Sequence, residues 1–183
     1  MKIGVLVGSN RTNSFSGSIA KNVMNLFPEE TTVEIVKIDH LPFYNQDFDE
    51  EGTEVPEDVA AFRKQVASYD GFLFVTPEYN RSVPALLKNA IDMGSRPKTE
   101  NVWGGKPAAI ISHSPGLLGG FGANHHLRQT LTCLNMPIVQ QPEVYLSNSA
   151  KLLGDKRIIE NEGTVEFLQL FVNTFMDLLD KHL

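Results

Sequence analysis

Short apolar runs alternate along the chain with longer stretches of helical periodicity. The first run, Ile3 to Val7, carries no charge and reads as a buried strand rather than the start of a signal peptide, because it passes at once into polar loop residues. Ser16 to Phe27 reads as a helix stopped by Pro28. In Val33 to Ile38, Val33, Ile35, Val36 and Ile38 are apolar, which predicts a second strand. Leu41 to Val55 interrupts the rhythm as a long polar loop with aromatic and acidic residues. Pro56 to Ser68 follows as a helix, with Pro56 at its first helical position. Phe72 to Val75 is a wholly apolar third strand, and Pro84 opens a helix that runs through Met93. Ala108 to Ile111 reads as a fourth strand and Gly122 to Leu134 as a fourth helix. Ile138-Val139, continuing toward Val144-Tyr145, supplies a fifth strand. Thr164 to Leu183 closes the chain as an amphipathic helix, with Val165, Leu168, Phe171, Val172, Phe175, Leu178 and Leu179 on one face.

Strand and helix units in alternation predict an α/β fold: a doubly wound, five-stranded parallel sheet with helices on both faces. The 183 residues suit one domain spanning the whole chain. Such sheets bind ligands beyond the carboxyl ends of the strands, where strand order reverses. Attention therefore falls on the loops after the first, third and fourth strands.

Composition narrows the function. The net charge of −6 argues against a broad basic face for nucleic acid but allows a small anion site. No stretch approaches the roughly 20 apolar residues that span a bilayer. Cys133 is the single cysteine, so no internal disulfide can form and a reducing, cytoplasmic setting is expected.

The loop after the first strand, Gly8-Ser9-Asn10-Arg11-Thr12-Asn13-Ser14-Phe15-Ser16, is rich in hydroxyls and amides and feeds a helix N-terminus. Free backbone N–H groups and the helix dipole favour an anion there. Ser9, Ser14 and Ser16 can donate to phosphate oxygens, and Arg11 adds a charge. The alternative is a polar surface loop in which Ser14 or Ser16 caps the helix. Neither the G-x-x-x-x-G-K-[ST] nor the G-x-G-x-x-G signature is present, so nucleotide triphosphates and a standard dinucleotide fold are disfavoured. After the third strand, Pro77-Glu78-Tyr79-Asn80-Arg81-Ser82-Val83-Pro84 offers a ring, an amide, a carboxylate and a guanidinium between two stiffening prolines. Ser82 reads as an N-cap; Tyr79 lines a flat ligand or packs the loop; Glu78 is solvated or pairs with Arg81. After the fourth strand, Ser114-Pro115-Gly116-Leu117-Leu118-Gly119-Gly120 is either a glycine-rich turn or a place where backbone approaches a ligand.

Taken together, the Gly8–Ser16 loop, the Pro77-Glu78-Tyr79-Asn80 segment with its following helix, and Ser114-Pro115-Gly116 with Gly119-Gly120 resemble the NADPH-dependent FMN reductase family. That family includes quinone, azo-dye and chromate reductases of flavodoxin-like fold. The resemblance implies that Ser9, Arg11, Ser14, Phe15 and Ser16 surround the FMN phosphate. It implies that Pro77, Glu78, Tyr79, Asn80 and Ser82 line the ribityl chain and ring, and that Ser114, Pro115 and Gly116 meet the pyrimidine side. Many relatives carry asparagine at the position of Ser16. It also implies NADPH or NADH as co-substrate, a small electron acceptor such as a flavin, quinone or azo compound, a ping-pong cycle, and a homodimer or homotetramer. The flavin carries the chemistry, so no side chain takes a catalytic role. A flavodoxin-type electron carrier and a flavin-dependent redox regulator are the alternative functions.

Other residues draw blander readings. His125 and His126 point to different sides of a helix, and no metal site is expected. His113 is read as packing, with proton transfer as the alternative. Cys133 is read as a small core residue. Trp103 fills a gap or meets the flavin or a partner subunit. Asp47, Asp49, Glu50 and Glu51 are read as a solvated acidic run.

Overall fold

The computed structural model describes residues 1–50 and 52–183. Five parallel strands, β1 (Lys2–Val7), β2 (Thr32–Val36), β3 (Gly71–Pro77), β4 (Ala108–His113) and β5 (Val144–Leu146), lie in the order β2-β1-β3-β4-β5. This is the flavodoxin-like order, with its switch point between β1 and β3. Helices α1 (Phe15–Met24), α2 (Glu57–Ala67), α3 (Ala85–Gly94), α4 (Phe121–Cys133), α5 (Ser149–Leu153) and α6 (Glu162–Asp180) connect and cover the strands.

Side chains alternate across the sheet, and the two faces build separate cores. Val5, Leu73, Val75, Ala109 and Ile111 pack with Ile19, Val23, Phe171 and Phe175 from α1 and α6. Leu6, Phe72, Phe74 and Ile110 pack with Phe62, Leu87, Ile91 and Leu127 from α2, α3 and α4. Every residue of β3 is buried, as expected of a central strand covered on both sides. Along α6, Leu168, Phe171, Val172, Phe175 and Leu179 are buried, and Val165 and Leu178 pack partly against them, so the predicted apolar face is the buried one.

Several boundaries differ from expectation for local reasons. Pro56 and Pro84 sit one position before their helices, with extended ψ of 137° and 143°. Their carbonyls, rather than their helical conformation, start α2 and α3, by accepting from Val59 and Leu87. Ser82 does not cap α3; its backbone pairs with Tyr79 and its hydroxyl lies 2.9 Å from His126 Nδ1. The fifth strand is Val144–Leu146, and Ile138 makes only an isolated bridge to Ala108. Pro142 lacks the N–H needed to join the two stretches into one ladder. Helix α5 follows β5 directly and has no counterpart in the apolar pattern, being only five residues long.

Trp103 is fully buried, packs on Phe62, Phe72 and Phe74, and donates from Nε1 to the Ile91 carbonyl at 2.9 Å, which settles it as a core filler. Cys133, by contrast, is exposed, so the core reading of it is corrected. The buried stripe of α4 runs through Ala123, Asn124, Leu127 and Leu131, and Cys133 lies off it, lining a groove between α3 and α4. The acidic run is also corrected at one position. Asp49 pairs with Arg63 at 3.0 Å with both side chains only 12% exposed, and Tyr44 donates to it at 2.7 Å. Glu51 lies outside the described residues.

Candidate functional site

Strand register brings the three loops together. Val7 is paired with Val75, Thr76 with Ser112 and Pro77 with His113, so β1, β3 and β4 end side by side. Gly8 donates to the Val75 carbonyl at 2.8 Å, which starts the first loop directly against the β3 terminus.

In the first loop, Ser14 caps α1 by accepting from the Gly17 N–H at 3.0 Å. Capping uses the oxygen's lone pair and leaves the hydroxyl proton available to an anion. Phe15 and Ser16 occupy the first two helical positions, and their N–H groups meet no acceptor among the described residues. Ser9 is half-buried and Arg11 exposed. These donors, and a helix dipole pointing its positive end at them, fit a phosphomonoester dianion, which offers only acceptors. Ser16 departs from expectation in one respect. It is 1% exposed, and its hydroxyl lies 2.7 Å from His113 Nε2 rather than free in the loop.

The second loop is a tight hairpin. Tyr79 and Ser82 exchange both backbone hydrogen bonds at 3.0 Å, and the residues between them, Asn80 and Arg81, have φ of 50° and 66°. Two successive left-handed residues make a type I′ turn. Tyr79, 54% exposed, stands at the surface beside Asn80. Glu78 faces elsewhere. Its carboxylate accepts from the Ala123 N–H at 3.1 Å in the first turn of α4 and pairs with Arg81 at 3.2 Å. It therefore joins the second loop to the helix that follows the third, and of the two readings of Glu78 the pairing with Arg81 holds and the solvated one does not.

The third loop is pinned from beneath and open above. Ser112, fully buried, lies 2.9 Å from the Gly119 carbonyl and accepts from Asn124 Nδ2 at 3.2 Å. Gly119 and Gly120 adopt φ of 59° and 78°, and a side chain at Gly119 would meet the Tyr145 carbonyl carbon at 2.6 Å. Toward solvent, Pro115 and Gly116 are exposed, and the nearest atom to a Cβ built on Gly116 is 3.9 Å away. Ser114 donates to the Gly116 carbonyl at 3.2 Å. Its backbone carbonyl and that of Gly116 accept from Ser149 and Asn148, at 3.1 and 3.0 Å, so the start of α5 backs this loop.

Pro77, Tyr79, Asn80, Ser114, Pro115 and Gly116 thus lie at the carboxyl ends of adjacent strands, beside the loop that leads into α1, while Ser82 turns its hydroxyl toward α4. His125 and His126 diverge as expected, to Tyr145 and Ser82. Tyr145 is held by burial and by Glu143 at a pKa raised to about 12, which keeps it a neutral donor. Ser149 and Asn148 are contributors that patterning missed; the Ser147-Asn148-Ser149 run after an apolar stretch is the helix-start signal that marks them. Among the described residues no group of three metal-ligating side chains exists, and no helix is long and apolar enough to cross a membrane.

Comparison with known proteins agrees with this architecture. The family model for NADPH-dependent FMN reductase matches residues 1–151. The chain is 48% identical over 173 residues to a quinone reductase of Pseudomonas putida, covering 94% of this chain and 91% of that one. It is 42% identical over 175 residues to a 2-hydroxy-1,4-benzoquinone reductase of a Burkholderia species, covering 96% and 94%. Among solved structures, the flavoenzyme NAD(P)H:(acceptor) oxidoreductase FerB of Paracoccus denitrificans superposes with a TM-score of 0.89 at 35% identity, over 99% of this chain and 98% of that one.

Proposed function

We propose a two-electron NAD(P)H-to-acceptor cycle for this chain because it belongs to the NADPH-dependent FMN reductase family, which makes it an oxidoreductase dependent on FMN and NAD(P)H. When bound, FMN would supply two-electron redox chemistry between a nicotinamide donor and a quinone, flavin or azo acceptor, with donor and acceptor taking turns in a ping-pong order. The observation that carries this reading is the open N-terminus of α1. Ser14 and the N–H groups of Phe15 and Ser16 form a donor set for the FMN phosphate. Ser9 and Arg11 complete it, Arg11 as an exposed counter-charge.

The second and third loops would seat the rest of the cofactor. Pro77, Tyr79 and Asn80 would border the ribityl chain and ring, and Glu78 and Ser82 would hold that border rigid from behind. Ser114, Pro115 and Gly116 would meet the pyrimidine edge, where the Gly116 N–H favours the negative charge that reduction brings, the Ser114 N–H being held by the Leu146 carbonyl. No side chain in these loops is needed as a nucleophile. We place the protein in the cytoplasm as one domain over residues 1–183, assembling as a homodimer or homotetramer.

An anaerobic absorption spectrum of FMN-loaded protein tests the reading. Bleaching of the flavin band by NADPH or NADH, followed by recovery on adding benzoquinone, is the expected result. Parallel double-reciprocal plots would support the ping-pong order. Flavin that binds but stays oxidised with both donors would favour an electron carrier or redox regulator. Arg11→Ala should raise the Kd for FMN about tenfold.

A further inference from the structure

We infer that His113 is a positioning residue that sets the hydrogen-bond polarity of Ser16 toward the flavin phosphate, through the chain Ser149–His113–Ser16. The inference rests on the placement of that phosphate at the β1–α1 loop. His113 stands at the carboxyl end of β4, 3% exposed. Its Nε2 lies 2.7 Å from Ser16 Oγ and its Nδ1 3.3 Å from Ser149 Oγ. Ser149 is fully buried, so its hydroxyl cannot fall back on water, and Ser16 is 1% exposed. One serine belongs to the first turn of α1 and the other to the first residue of α5, which itself supports the Ser114–Gly116 loop.

Burial lowers the pKa of His113 to about 4, so the ring is neutral at physiological pH. A neutral imidazole has one N–H and one lone pair, and two arrangements are self-consistent. In the first, Ser149 donates to Nδ1, Nε2–H donates to Ser16 Oγ, and the Ser16 proton is left over. In the second, Ser16 donates to Nε2, Nδ1–H donates to Ser149 Oγ, and the Ser149 proton is left over. Ser149 Oγ has no other partner among the described residues, so the second arrangement strands a donor in a fully buried place. The first arrangement leaves its unspent donor on Ser16, beside the free N–H groups of Phe15 and Ser16. A phosphate dianion offers acceptors only, so it accepts that proton in the first arrangement and meets bare lone pairs in the second. Anion binding and the tautomer of His113 therefore select each other.

The test compares FMN with riboflavin, which lacks the phosphate, by quenching of flavin fluorescence. His113→Gln should weaken FMN about tenfold and leave riboflavin unchanged, whereas Ser149→Ala, in which an Nδ1–H would be stranded, should keep the Nε2–H tautomer and the wild-type ratio of the two affinities. A purely structural role would shift both flavins together, and that outcome overturns the inference. Arg11→Ala is the control. If it selectively weakens FMN while the His113 variant leaves the FMN-to-riboflavin ratio as it was, the relay fails and the phosphate site stands. If Arg11→Ala leaves FMN affinity unchanged and wild-type protein binds both flavins equally, the phosphate site fails and the relay with it. Long-range proton–nitrogen NMR of the wild-type FMN complex gives a reading that needs no variant. The Nε2–H tautomer is expected, and the Nδ1–H tautomer would refute the assignment.

Discussion

Glu78 shows how one side chain can serve a site without facing it. Its carboxylate is only 9% exposed and takes a hydrogen bond from α4 and an ion pair from Arg81. Placed at a helix N-terminus it also meets the positive end of the dipole. Glu78→Ala should therefore cost about 1–2 kcal/mol in urea unfolding. It should weaken FMN binding as well, because the second and third loops lose their tie. Glu78→Gln keeps an acceptor and should cost less; equal losses for both variants would mean the charge is irrelevant and the packing matters. This role was out of reach of the sequence, since the partner N–H lies 45 residues downstream. The same holds for His113, whose serines are 97 and 36 residues away. Ser14 was legible as a cap because capping is local, involving only Gly17 three positions on. Cys133 was misjudged because the burial stripe of α4 is short and partly polar, with Asn124 inside it, and gives no clean period to read.

At the scale of elements, the pattern located the strands that are buried on both faces and failed where tertiary context decides. Phe72–Val75 is unbroken and apolar and lies inside β3. The last strand is three residues long and preceded by a false start at Ile138, so hydrophobicity alone placed it too early. The second loop carries a signal that went unread: Asn80 suits the first left-handed position of a type I′ turn. Arg81 suits the second poorly, yet φ is 66° there. Left-handed backbone costs a residue with a Cβ about 1–2 kcal/mol, and an ion pair whose Arg81 side is 72% exposed returns less than about 1 kcal/mol. Arg81→Gly should thus leave stability level or slightly raised in a thermal melt, although it removes the contact to Glu78. Asn80→Val, a β-branched residue at φ of 50°, should lose about 1–2 kcal/mol and weaken FMN binding. A valine variant as stable as wild type would show that the hairpin relaxes to another turn.

For the whole molecule, the doubly wound sheet explains why a site built from loops is rigid. All three loops leave adjacent, fully paired strands, and the polar side chains beneath them are buried and hydrogen-bonded. That arrangement couples the site to global stability through His113. Burial alone depresses its pKa from 6.5 to about 4, and no charged neighbour offsets the effect. In the folded chain the ring remains neutral until about pH 4, whereas the unfolded chain takes up a proton below about 6.5. Between those values the unfolded state binds more protons, so acid draws the equilibrium toward it. The stability held above pH 6.5 is lost as the pH falls to about 4, by about 3 kcal/mol from this group. Carboxylates as a class titrate in the same range, so the total slope does not isolate the imidazole. His113→Gln does, because it removes the titrating group alone. Urea unfolding at pH 7 and at about pH 4.5 should show wild-type protein losing about 2 kcal/mol more than the variant. Parallel losses would mean that the ring accepts its proton inside the fold, with Ser16 and Ser149 turning to receive it. The neutral chain beneath the β1–α1 loop would then not be a fixed feature of the native state.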